Sequence, residues 1–184
     1  MSEGENALIV PARLSVADLA TRIGRPVEEV MAVLTARDEP HAPEDILGAD
    51  LAIEVARILG VAIDVESRDL ALERLYEYET RGEMGADIGG RAGAIVDGVL
   101  SDLDDLDAMI ESVSEHWSVA RMPVIDRNVI RIGLHELRRD PMTPTAVVVS
   151  EAVRLAHTYS TEKSPAFVNG VLATLAKTIR ELGD

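Results

Sequence analysis

Residues 117–175 read WSVARMPVIDRNVIRIGLHELRRDPMTPTAVVVSEAVRLAHTYSTEKSPAFVNGVLATL, and three helices can be marked in them almost by rule. Asp126 stands as the N-cap of the first. Val129, Ile130, Gly133, Leu134 and Leu137 then fall on one face at steps of three and four. The second helix begins after Pro144 and turns Val148, Ala152, Leu155 and Ala156 inward, with Glu151 and Arg154 outward. The third has Ser164 as N-cap and Pro165 at the first helical position, where a missing N–H costs nothing. Its stripe is Phe167, Val168, Val171, Leu172, Leu175 and Ile179. Each helix has one apolar face, so the three predict an all-α bundle with a shared core. Within it, Phe167 and Asn169 read as inward-facing, and Gly170 as the point of close helix approach.

Upstream, residues 91–117 continue the helical spacing through Ile95, Val99, Leu103, Leu106, Ile110, Val113 and Trp117, with a break possible at Asp104-Asp105. Between 97 and 115 lie seven acids and no base, opposite the apolar stripe, which reads as a solvated face. Residues 67–79 form a further helix. The glycine-rich run from Thr80 to Ile95 lacks the GxxxxGK[ST] pattern of a phosphate loop and reads as a linker.

Residues 1–64 form a separate small unit of three helices. Ser15 with Asp18 makes a capping box for the first, which ends at Gly24. Pro26 opens the second, and the third, carrying Leu51 to Leu59, stops at Gly60. A helix-turn-helix that reads DNA presents basic or amide side chains to the groove. This unit has twelve acids against five arginines, a net of −7, which favours a protein-docking module or a plain capping domain.

The whole chain of 184 residues carries a net charge of −15 and no cysteine. Disulfides, thiolate metal sites and cysteine nucleophiles are thereby excluded. A protein that held nucleic acid by its overall field would be basic, so any RNA contact must come from a local patch. The start, MSEGENALIVPARL, has neither the basic region nor the apolar run of a secretion signal, and no apolar run approaches the ~20 residues that span a bilayer. A cytoplasmic protein is expected. His41, His116, His135 and His157 show no metal spacing, and Arg139 stands where HExxH needs its second histidine. No cofactor and no enzymatic activity are expected.

Several blocks carry a resemblance beyond periodicity. Ile125-Asp126-Arg127, Ile130-Arg131-Ile132 and Glu136-Leu137 resemble the central helix of the NusB family of bacterial transcription antitermination factors. So do Val148-Val149-Ser150-Glu151-Ala152-Val153 and Lys163-Ser164 followed by Phe167-Val168-Asn169-Gly170-Val171-Leu172. Arg68-Asp69-Leu70-Ala71-Leu72-Glu73-Arg74-Leu75-Tyr76 resembles the family's first helix. There the chain departs from the pattern, with Ile63-Asp64-Val65-Glu66-Ser67 in place of an arginine-rich lead and Glu73 in place of glutamine. Both put negative charge where a phosphate would approach. Residues 12–60 are similar to the small N-terminal module of translation initiation factor two, through Leu14-Ser15-Val16-Ala17-Asp18-Leu19-Ala20, Ile23-Gly24 and Glu29-Val30.

The resemblance implies a NusB-like bundle over residues 65–184 that pairs with NusE, a small-subunit ribosomal protein. Together they would bind boxA-type single-stranded RNA in an RNA polymerase antitermination complex on ribosomal RNA operons. Candidate RNA-binding residues are Arg68, Tyr76, Arg121, Arg127, Arg131, Lys163 and Ser164. Arg127 and Arg131 share a helix face and could equally pair with the acidic helix 97–115. Lys163 and Ser164 open a helix whose free N–H groups suit phosphate, although capping alone also accounts for Ser164. Tyr76 could stack on a base or pack in the core. The alternative is a protein-interaction module that keeps the fold without RNA binding, with NusE, a homodimer mate or the polymerase as partner.

Overall fold

A computed structural model describes residues 8–61, 63–83, 88–114 and 118–181. His116 and Trp117, both used in the sequence reading, lie outside them. The chain divides into two compact units, Met1–Leu70 and Ala71–Asp184.

In the first unit, Ser15 Oγ accepts the Asp18 N–H at 3.0 Å and opens α1 (Val16–Ile23), which Gly24 closes at φ +67°. Pro26 precedes α2 (Val27–Ala36), and α3 runs over Ala49–Ile58. Two short ladders supplement the helices. The strand β1 (Leu8–Val10) pairs in parallel with β4 (Ile63–Val65), and β2 (Leu14–Ser15) pairs antiparallel with β3 (Ile46–Leu47). Strands of two or three residues are too short to show alternation, so the sequence pattern reads them as loop. Leu19, Val30, Leu34, Leu47 and Val55 are fully buried among them. Because β4 is needed by β1 and Leu70 packs on this core, the unit runs past residue 64, where the sequence reading placed its edge.

The second unit is helical. It takes in most of α4 (Ser67–Arg81), then α5 (Gly90–Ser101), α6 (Leu103–Val113), a 3-10 turn at Val119–Arg121, α7 (Val124–Arg139), α8 (Thr145–Tyr159) and α9 (Ser164–Glu181). The link expected over Thr80 to Ile95 is shorter, since α4 runs to Arg81 and Gly90 and Gly93 are already helical. Leu75, Val99, Leu106, Ile110, Ile130, Leu134, Leu155 and Leu172 form the centre of its core. No helix among the described residues is long and apolar enough to cross a membrane.

The helix α7 is buried on nearly every side and packs against α5, α6, α8 and α9. A single apolar stripe underestimates it. Asp126, Asn128, Arg131 and Glu136 are buried too, and polar groups removed from water need partners. For Asp126, Arg131 and Glu136 those partners come from outside α7, whereas Asn128 Oδ1 meets Arg131 of its own helix. The break between α5 and α6 falls at Asp102, leaving Asp104 and Asp105 in the first turn of α6. The acidic face is only partly solvated. Asp107 and Asp102 pair with arginines of α7, and Glu111 accepts the Val119 N–H at 2.9 Å.

Two expectations for α9 are corrected by packing. Asn169 and Gly170 are exposed, and a Cβ on Gly170 would meet nothing within 4 Å. Phe167 packs against the core as expected but stays half-buried. The close approach instead occurs at Gly133 of α7, where a Cβ would lie 2.8 Å from Leu172 Cδ1. Gly133→Ala is therefore expected to lower stability, an overpacking cost of ~1–3 kcal/mol outweighing a helix-propensity gain of at most about 1. Gly170→Ala, with open space around it, should raise stability by up to about 1 kcal/mol. Urea denaturation of both variants tests the pair.

Candidate nucleic-acid interface

The α7 and α9 helices begin at a common hollow of about 280 Å³, lined by Met122, Pro123, Asp126, Thr161, Lys163, Ser164 and Phe167. Pro123 and Ser164 set its edges because each stands where a helix starts. Pro123 precedes α7 with extended backbone, and the last turn of α8 breaks at Ser160. The walls are mostly apolar, from Met122, Pro123 and the exposed side of Phe167. Lys163 is exposed at the rim, and exposed Arg121 is the residue next to Met122.

Asp126 does not cap α7. It is buried in the first turn, where its carboxylate accepts hydrogen bonds from Ser160 Oγ at 2.5 Å and Ser164 Oγ at 2.9 Å. Ser164 therefore does not cap α9 with its side chain either. Its hydroxyl lies 2.8 Å from Thr161 Oγ1 and 2.9 Å from Ser160 Oγ, tying the α8–α9 link to the start of α7. Ser164 is only 2% exposed, which takes it out of phosphate contact.

Arg127 and Arg131 both bind the carboxylate of Glu79 on α4. Arg131 also forks onto Asp107 at 2.7 and 2.8 Å, and reaches Asn128 Oδ1 at 3.0 Å. Burial opposes its charge, but Asp107 and Glu79 more than offset that and hold the guanidinium protonated beyond its usual range. With side chains 18% and 7% exposed, Arg127 and Arg131 are both taken up by acids, but only Arg131 meets the acidic helix weighed at the outset, through Asp107, while Arg127 meets Glu79 of α4. Arg139 and Arg138 likewise meet Asp102, at 2.7 and 3.8 Å. Arg68 is 8% exposed and ion-paired to Glu66 at 3.5 Å. Tyr76 is exposed, against the core reading of a tyrosine on this helix.

Of the seven candidates, the hollow collects Lys163 and Ser164, and Arg121 precedes its lining residue Met122, with Nε donating to Ser118 Oγ at 3.3 Å. It adds Met122, Pro123, Thr161 and Phe167, which the sequence reading did not place in a site. The available signal was position. Phe167 stands one turn into a helix that starts beside Lys163, and Met122-Pro123 immediately precede the α7 start.

A family model described as the NusB family matches residues 63–177. The chain belongs to the NusB family. Its curated relatives include a transcription antitermination protein NusB of Sorangium cellulosum, 40% identical over 126 residues, covering 61% of this chain and 90% of that one. Another, from Geotalea daltonii, is 34% identical over 136 residues, with coverage of 62% and 94%. The solved T. maritima NusB superposes with a TM-score of 0.56 at 30% identity, covering 60% of this chain and 88% of that one. A structure of the antitermination factors NusB and NusE in complex with dsRNA matches with a TM-score of 0.50 at 28% identity, with coverage of 61% and 94%. The NusB match begins at residue 63 and so leaves most of the first unit outside it.

A second, more polar hollow of about 190 Å³ is bordered by Arg91, Ile95, His135, Glu136, Arg139 and Asp140. The His135 ring lies so close to Gly98 that a Cβ there would fall 2.1 Å from its Cε1. Burial lowers the His135 pKa below its usual value, and Arg139 and Arg138 push the same way against Asp102 and Glu136. Among the described residues, no group of His, Asp and Glu is arranged to hold a metal ion.

Two tests follow from this geometry. Ser164→Ala removes a donor from a buried carboxylate and should cost ~1–3 kcal/mol of stability by chemical denaturation. A histidine whose folded pKa lies below its unfolded value binds more protons when unfolded, so stability falls as pH drops below about 6.5. His135→Asn should flatten that decline in the urea midpoint between about pH 7.5 and 5.5.

Proposed function

We propose that this chain is a transcription antitermination factor that binds boxA-type single-stranded RNA together with NusE, within the RNA polymerase antitermination complex on ribosomal RNA operons. The observation that carries the reading, beyond family membership, is the hollow where α7 and α9 begin. Its apolar wall, with Phe167, suits one unstacked base, and Lys163 and Arg121 stand where flanking phosphates would pass. Sequence-specific RNA recognition works this way, with splayed bases stacked on aromatic side chains and cations on the backbone. Exposed Tyr76 offers a further stacking surface.

The reaction is positioning without chemistry, so the chain acts as no enzyme, and its place is the cytoplasm. With a net charge of −15, the chain supplies few phosphate contacts, and a basic partner supplies most of the neutralisation. The N-terminal unit serves as a protein-docking module similar to that of initiation factor two.

A second reading has its own support. Arg68, Arg127 and Arg131 are engaged with internal acids, which favours a protein-interaction module that has shed RNA binding.

Fluorescence anisotropy of a boxA-like RNA, with and without NusE and at two salt concentrations, separates the two. The antitermination reading expects tight, salt-sensitive binding that requires NusE. Arg121→Ala or Lys163→Ala should each lower the slope of log K against log salt by about 0.7, the value per phosphate for single strands. Phe167→Ala should cost ~1–3 kcal/mol of RNA binding through lost stacking while leaving the slope in place. A stable NusE complex that ignores the RNA leaves the protein-interaction module.

A further inference from the structure

We propose that Arg127 and Glu79 are positioning residues that hold the loop carrying Arg121 and Met122 in its RNA-contacting shape. The inference rests on the RNA-binding reading above and assigns it two residues that touch no RNA. Every nitrogen of the Arg127 guanidinium is committed. Nε donates to Glu79 Oε2 at 2.7 Å, and Nη2 pairs with the same carboxylate. Nη1 donates to the carbonyls of Met122 at 3.0 Å and Ala120 at 3.5 Å. These two carbonyls flank Arg121. A single planar fork thus links α4 to the backbone on both sides of the exposed cation.

Glu79 cannot swing to follow the loop, because its other oxygen is bound by Arg131, which Asp107 holds from the far side. The opposite end of the loop is fixed independently by the Val119 N–H bond to Glu111. Buried Val119 and Met122 pin the loop from below, at 3% exposure each. Arg121 is therefore presented from an anchored frame, and Met122 is held as one wall of the hollow. Lysine in place of Arg127 could not do this, since a point charge cannot fork onto a carboxylate while reaching two carbonyls.

The test compares Glu79→Gln, Arg127→Gln and the double variant with the parent and with Arg121→Ala. The double variant removes one charge of each sign, so it leaves net charge unchanged and no lone buried ion. It therefore serves if Arg127→Gln alone fails to fold. RNA affinity in the presence of NusE is measured at several salt concentrations, and amide hydrogen exchange is followed at Val119, Arg121 and Met122.

The proposal expects the double variant to lose affinity by about tenfold, the scale of one or two charge-assisted hydrogen bonds, with the salt slope of the parent. Exchange at the loop amides should quicken while the core of α7 and α9 stays protected. Arg121→Ala should give the converse, with a lower slope and unaltered exchange. A drop of about 0.7 in slope for Arg127→Gln would make Arg127 itself a phosphate contact and overturn the proposal. So would unchanged affinity, or unchanged loop exchange, in the double variant. If the parent binds no RNA, the proposed function fails, and the exchange arm still decides whether the pair orders the loop.

Discussion

The Glu79 carboxylate, held between Arg127 and Arg131, is the contact on which the bundle's arrangement depends. It joins α4 to α7, and through Arg131 and Asp107 it joins both to α6. Three helices are thus fixed in register by groups that would be costly to bury alone. Removing one partner from such a network typically costs ~3–5 kcal/mol, because an uncompensated charge remains. Apolar packing would tolerate small slides of one helix along another, whereas a forked guanidinium on a carboxylate would not. The loop before α7 inherits that definition, since its carbonyls are bound by the same Arg127.

The internal use of arginine also explains how an acidic protein keeps a local basic margin. Arg127 meets Glu79 of α4, Arg131 meets Asp107 of α6, and Arg138 and Arg139 meet Asp102 at the break between α5 and α6, so these arginines are matched by acids of the fold itself. What lines the hollow is Lys163 beside an apolar wall, with exposed Arg121 next in sequence to Met122. Such a surface reads shape and one or two bases more than it attracts a polyanion at long range. It fits a protein that acts beside a basic partner.

The hydroxyl cluster around Asp126 does for the α8–α9 link what Glu79 does for α4. Ser160, Thr161 and Ser164 converge on one another and, through the two serines, on a buried carboxylate at the start of α7. The polar residues at the floor of the hollow are therefore structural, and the functional character of the site lies in its rim and apolar wall.

Much of this was legible in the sequence. The helices of residues 117–175, the capping box at Ser15 and Asp18, and the stops at Gly24 and Gly60 follow from local rules, because periodicity, caps and breakers act within a few residues. The blocks around Arg127, Glu151 and Phe167 carried the family. The partners of side chains were not legible. Asp126 and Ser164 sit where caps belong, yet they are 38 residues apart in the chain and hydrogen-bonded to each other. Arg127 and Arg131 form a basic face on paper, but the acids that take them up lie 24 to 52 residues upstream. Gly133, not Gly170, meets Leu172, because only the crossing of α7 and α9 selects which glycine is at the contact. Sequence alone determined most of the helices, the charge balance and the family. Tertiary structure decided which charges are spent inside and which remain to meet a ligand, because that depends on distances between residues that no local pattern records.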